Sequence, residues 1–162
     1  MVEISQLWLP VVVSSVVVFF ASFLAWMVIG HHNKDIKTLE EEQSLVDHLK
    51  TLNIPPGTYM WPGCGSHEDM NSPEFKARYN AGPWGSINVL GAKPNFARNL
   101  ALTFLFYVVV SLFVAYITGQ ARAVGAERMT VFQVAGAVAV LAYCAGSIPG
   151  AIFFSKPGRF IL

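Results

Sequence analysis

The run LWLPVVVSSVVVFFASFLAWMVI, from Leu7 to Ile29, contains no charged residue. At 1.5 Å per residue, about twenty apolar residues in helical form cross the roughly 30 Å hydrocarbon layer of a bilayer, so residues 7–29 read as a first transmembrane helix. A secretory signal is the competing assignment for an N-terminal apolar run. Here the leader MVEISQ has no Lys or Arg, and the run is longer than the about 7–15 residues of a signal's apolar core, so it is expected to stay uncleaved. Trp8 and Trp26 lie near its two ends, where amphipathic rings suit the headgroup layer. Pro10 falls in the first turn, where its missing N–H costs least.

Two further apolar runs repeat this pattern, at 99–118 and at 130–154. Phe104, Phe106, Tyr107, Phe113 and Tyr116 give the second an aromatic character. In the third, Ala135, Ala139, Ala142, Gly146 and Gly150 recur at spacings of four, three, four and four, which lines one helix face with small side chains and lets another helix approach closely. Pro149 is expected to kink or end this helix near Ser147. With 54% hydrophobic and only 13% charged residues, the charges all lying between or beyond the three runs, the expected fold class is an all-α membrane protein. It has three transmembrane helices and a small mixed, turn-rich soluble insert between helices 1 and 2.

That insert, 30–98, opens with Thr38-Leu-Glu-Glu41, a capping box that predicts an amphipathic helix near 38–52 with Leu45, Val46, Leu49 and Leu52 on one side. The stretch Ile54 to Gly65 holds three Pro and three Gly, which favours irregular turns over a regular element. A short strand is expected at 86–90. A short external connection, 119–129, joins the second and third helices, and 155–162 form a tail. Lys34, Lys37, Lys50, Lys76, Arg78, Lys93 and Arg98 in the insert, with Lys156 and Arg159 in the tail, stand against only Arg122 and Arg128 in the connection. Basic residues favour the cytoplasmic side, so the N-terminus is expected outside and the insert and C-terminus inside.

Several kinds of chemistry lack the residues they need. No Asp, Glu, Lys, Arg or His lies within the three apolar runs, whereas ion-coupled transport and voltage sensing use such groups at depth and a membrane haem takes an axial His. The net charge of +1 and the absence of a basic, aromatic-interleaved patch argue against nucleic acid as a partner. Phosphate-cradling and dinucleotide glycine spacings are missing too. The two cysteines, Cys64 in the insert and Cys144 in the third run, read as free thiols. No cofactor is expected. A lipid or pigment held by shape against Phe104, Phe106 and Tyr107, with no axial ligand, would leave no mark in the sequence. A metal or nucleophile site would have to draw on His31, His32, Cys64 and His67. Adjacent histidines diverge, however, and one Cys-x-x-His pair is only half of a zinc spacing.

The opening Leu7-Trp-Leu-Pro10 through Ser22, the pair His31-His32 followed by Lys34-Asp35, the segment Pro55 to Pro62, and Ser111-Leu-Phe-Val-Ala-Tyr116 together resemble a widespread group of uncharacterised small polytopic bacterial inner-membrane proteins. The resemblance implies a location, the bacterial inner membrane, and no activity. In that group a further hydrophobic segment follows near the C-terminus. The present sequence stops at Ser155-Lys-Pro-Gly-Arg-Phe-Ile-Leu162, so either a shorter member or a chain continuing into a fourth span is expected. The function expected from these features is that of a non-catalytic accessory or structural subunit in a larger membrane complex, with a photosynthetic or respiratory energy-transducing assembly first in line. Lipid and partner subunits would be its contacts. The alternative is a membrane enzyme or metal-handling protein using His31, His32, Cys64 and His67 at the cytoplasmic surface.

Overall fold

The computed structural model describes residues 3–30, 33 and 35–156. Its elements run α1 (Trp8–Phe23), α2 (Glu42–Leu52), β1 (Gly57–Trp61), α3 (Pro73–Ala81), β2 (Gly85–Val89), α4 (Phe96–Ala121), α5 (Arg128–Tyr143) and α6 (Ile148–Phe153), with short 3-10 turns at Ile4–Gln6, Asp69–Asn71 and Ala145–Ser147. A π-turn, Leu24–Val28, prolongs α1. The chain divides into two units, residues 1–38 with 96–162, and residues 39–95.

In the first unit, three helical stretches are long and apolar enough to cross a membrane, Trp8–Val28, Phe96–Ala121 and Arg128–Phe153. Central α4 packs against both α1 and α5. Between α1 and α4 the decisive residue is Ser15, 0% exposed. Its small side chain lets the helices close up, and its hydroxyl donates to Val11 O at 2.6 Å while lying 3.5 Å from Tyr107 O across the interface. One further turn along, Phe19 meets the edges of Phe104 and Tyr107 at centroid distances of 5.5 and 6.4 Å. On its other side Tyr107 meets Tyr143 of α5 at 5.8 Å, so a single aromatic residue joins all three helices. Edge-to-face rings at these separations attract through their quadrupoles.

Those polar side chains within the apolar runs that have partners bond either across helices or along their own helix. Tyr107 donates across to Ser22 Oγ at 2.9 Å, and Ser111 shares a side-chain hydrogen bond with Tyr143. Ser14 and Thr103 instead bond carbonyls one turn back on their own helices, Pro10 O at 2.6 Å and Asn99 O at 2.8 Å. Such i to i−4 bonds satisfy a hydroxyl without a neighbour.

The third apolar stretch is interrupted. α5 ends at Tyr143, and a 3-10 turn at Ala145–Ser147 precedes α6, which carries Pro149 in its first turn. Proline has no N–H to offer the carbonyl of Ala145, and its ring crowds that carbonyl, so the chain tightens before Ile148. Between α4 and α5 a turn is closed by the Ala126 N–H on Ala123 O at 3.1 Å. Gly125 takes φ +83° at its third position, a conformation that suits glycine there.

In the second unit α2 begins later than its sequence suggests. Glu41, with ψ 39°, precedes the first helical residue Glu42, and no side chain caps the end. The capping box from Thr38 is not formed, because the chain turns at Glu40–Glu41 and the helix starts only at Glu42. Asn53 ends α2 in the left-handed region, φ 48°, as Asn can. The segment 54–65 also departs from expectation. Gly57–Trp61 is a regular strand, paired antiparallel with β2 in the register Gly57↔Val89, Tyr59↔Ile87, Trp61↔Gly85. Its prolines flank the strand and do not interrupt it, which is where a ladder tolerates them. The helix α3 was not anticipated, although Ser72-Pro73 and Gly82-Pro83 mark both its ends. Ser72 Oγ accepts from the Phe75 N–H at 3.1 Å, Pro73 opens the helix, and Gly82 follows it, an arrangement favoured at helix termini.

Candidate functional site

The residues of α4 at positions 111, 115 and 118 are spaced four and three apart and so share one helix face, and Arg122, just past the helix end with its N–H on Thr118 O at 3.0 Å, continues that face. With Leu7, Pro10 and Ser14 of the first stretch and Val131 and Ala135 of α5, they line a cleft of about 350 Å³. It lies where the first helix begins, α4 ends and α5 begins, so all three helices contribute a terminus. Its walls are apolar except at four places.

Ser14 is satisfied by its own helix and Ser111 by Tyr143. Thr118 differs. It is 9% exposed, its hydroxyl oxygen is sealed from solvent, and no hydrogen-bond partner reaches it among the described residues. A buried hydroxyl left unpaired costs about 1–3 kcal/mol. Arg122, the residue after α4, is half-buried. Its Nε–H donates to Thr130 O at 3.3 Å, tying the end of α4 to the first turn of α5. No carboxylate among the described residues pairs with it. The site therefore combines an apolar slot, an unused hydroxyl and a cation at the rim. The 111–115–118–122 spacing was the available signal that they act together.

A second cleft, about 300 Å³, lies between Phe19, Phe23 and Trp26 on one side and Phe96, Leu100 and Tyr107 on the other. Its polar atoms on Ser22, Tyr107 and Thr103 already have partners. Phe104 and Tyr107 are occupied by Phe19, and Phe106 and Tyr107 by Tyr143, so these rings pack the bundle.

His31 and His32 lie outside the described residues. Cys64 and His67 are both exposed, and the Cys64 thiol donates to Ser66 O at 3.0 Å. Around them Ser66 Oγ accepts from the Asp69 N–H at 3.1 Å and Asn71 Nδ2 donates to His67 O at 3.4 Å, so the segment is a turn that satisfies itself. Among the described residues, no three of His, Cys, Asp and Glu come together to hold a metal ion.

The five small residues of the third stretch meet different surroundings. Ala135 and Ala139 are half-buried, and Ala135 lines the first cleft. Ala142 and Gly146 are exposed, and the space around Gly146 and Gly150, like that around Gly136, is open. The 3-10 turn at Ala145–Ser147 breaks the helical period, so the five do not form one continuous helical stripe.

The protein is thus mostly helical, with three helices long and apolar enough to span a membrane and a small two-stranded sheet. Comparison with known proteins finds no matching family model, no matching curated protein and no matching solved structure.

Proposed function

We propose that this chain is a multi-pass protein of the bacterial inner membrane, a non-catalytic accessory subunit that packs against other spans in a larger assembly. Its N-terminus lies outside, and residues 30–98 and the tail are cytoplasmic, as the Lys and Arg distribution favours. The observation that carries the accessory role is the bareness of the third stretch. None of the residues in its most apolar window is buried, yet the exposed Ala142 and Gly146 offer the small surfaces that bring helices together in lipid, where close packing replaces the hydrophobic effect as the driving force.

Mild detergent extraction of native membranes, followed by native electrophoresis, tests this. The wild-type chain is expected in a band with larger subunits. A Gly146→Leu variant is expected to run alone while keeping the wild-type thermal transition, since a Cβ there meets nothing within 4 Å among the described residues. A wild-type chain that migrates as a lone small particle would refute the accessory role.

A further inference from the structure

We infer that the cleft at Thr118 and Arg122 binds one anionic diacyl phospholipid, an inference that rests on the three helices spanning the bilayer. The apolar wall of Leu7, Pro10, Val114, Ala115, Val131 and Ala135 takes an acyl chain, and its volume of about 350 Å³ falls within the about 300–1,000 Å³ of small-molecule sites, which are likewise mostly apolar with a few convergent polar groups. At the rim, Arg122 spends only its Nε–H on the protein. Its remaining N–H groups form the planar fork that matches a phosphate with two parallel bonds. Arg122 also follows directly on the apolar helix, at the depth where a span meets the headgroup layer and Arg side chains reach toward it.

Thr118 selects between sources of negative charge. It lies four residues, about 6 Å, inward from Arg122, and its hydroxyl is a nine-tenths buried donor without an acceptor among the described residues. A diacyl phospholipid places ester carbonyls about that far below its phosphate, and rotation of the Thr118 side chain about χ1 into the cleft it lines lets one of them supply the missing acceptor. A fatty acid has no oxygen below its carboxylate and would leave Thr118 unpaired.

The test is native mass spectrometry of the full chain in an uncharged detergent, titrated separately with phosphatidylglycerol, phosphatidylcholine and oleate. One phosphatidylglycerol is expected per chain, held more tightly than either alternative. Arg122→Gln should weaken it about tenfold, the scale of one charge-assisted bond, and Arg122→Lys should restore part of that loss. Thr118→Val should weaken phosphatidylglycerol and leave oleate unchanged. Ala135→Leu, which fills the slot from the α5 side, should weaken it while the thermal transition stays in place. Equal retention by wild type, Arg122→Gln and Ala135→Leu would overturn the inference, as would tighter binding of oleate or a graded series of lipids with no single-site step. Alkaline extraction of native membranes separates the two levels. A chain released from the membrane sinks the spanning reading itself, whereas a retained chain that does not discriminate among lipids sinks the site alone.

Discussion

Ser15 and Tyr107 show how few side chains hold the bundle. Ser15 is enclosed between α1 and α4, and its short hydrogen bond returns to its own helix, so its size matters more than its polarity. Ser15→Ala is expected to change stability by less than about 1 kcal/mol, the range of a single hydrogen bond, whereas Ser15→Leu should cost about 1–3 kcal/mol through overpacking. Thermal unfolding of the purified chain in detergent distinguishes them, and similar losses for both would mean that the hydroxyl matters more than the volume. By the same measure Tyr107→Phe, which keeps the ring contacts and removes only the bond to Ser22, should cost about 0.6 kcal/mol, the mean for such bonds between membrane helices. In the second unit Gly85 faces the indole of Trp61 so closely that a Cβ would overlap the ring. Gly85→Ala is therefore expected to push Trp61 outward and shift tryptophan emission to the red, and unchanged emission would count against this register. These details were partly legible beforehand. The serines stood out because they are polar in apolar runs, but nothing along the chain distinguishes Ser14, bonded to its own helix, from Ser22, bonded across, because the difference lies in which way each faces once α4 is in place.

The elements differ in how much of their making is local. The three apolar stretches are set by composition over some twenty residues each, and α4 extends beyond its apolar run at both ends, to Phe96 and Ala121. The strand β1 escaped notice because its partner begins 24 positions after it ends, Trp61 to Gly85, and pairing over such a distance leaves no local periodicity. The start of α2 differs from its sequence signal because the turn at Glu40–Glu41 intervenes between Thr38 and the first helical residue, Glu42. Within α2, Asp47 accepts from Gln43 and Lys50, both at 2.9 Å, and these bonds, Gln43 first, hold its carboxyl below the ordinary value of 3.8. A depressed carboxyl adds stability that is in place above its unfolded pKa of about 3.9 and is lost as pH falls through the lower, folded value. The helicity of the chain is accordingly expected to fall at the acid end of a titration, an effect that Asp47→Asn abolishes and salt diminishes. The group is exposed, so the change should be small. A circular dichroism titration identical in wild type and variant would show that α2 does not depend on this pair.

For the whole molecule, the alternation of apolar and charged segments made the architecture readable, whereas the cleft was not, because it is assembled from three helix termini far apart in sequence. Orientation can be checked with the chain's own chemistry. Both cysteines are free, Cys64 exposed and Cys144 half-buried. In a Cys144→Ser background, a membrane-impermeant maleimide is expected to label Cys64 in inverted vesicles and to miss it in right-side-out spheroplasts. The reverse pattern would invert the topology. The π-turn at Leu24–Val28, where the Ile29 N–H reaches back five residues to Leu24 O at 2.9 Å, bears on how such a chain can change over generations. A turn of this kind holds one residue more than an α-helix requires and swings everything after it partway round the axis. Losing a single codon there would relax the surplus into ordinary helix and shorten the span by only about 1.5 Å, while the contacts of Ser15 and Phe19 upstream stay in phase. The same loss in the middle of α4 would turn one half of its faces away from their neighbours, so length variation in this lineage has a natural refuge just before the chain leaves its first helix.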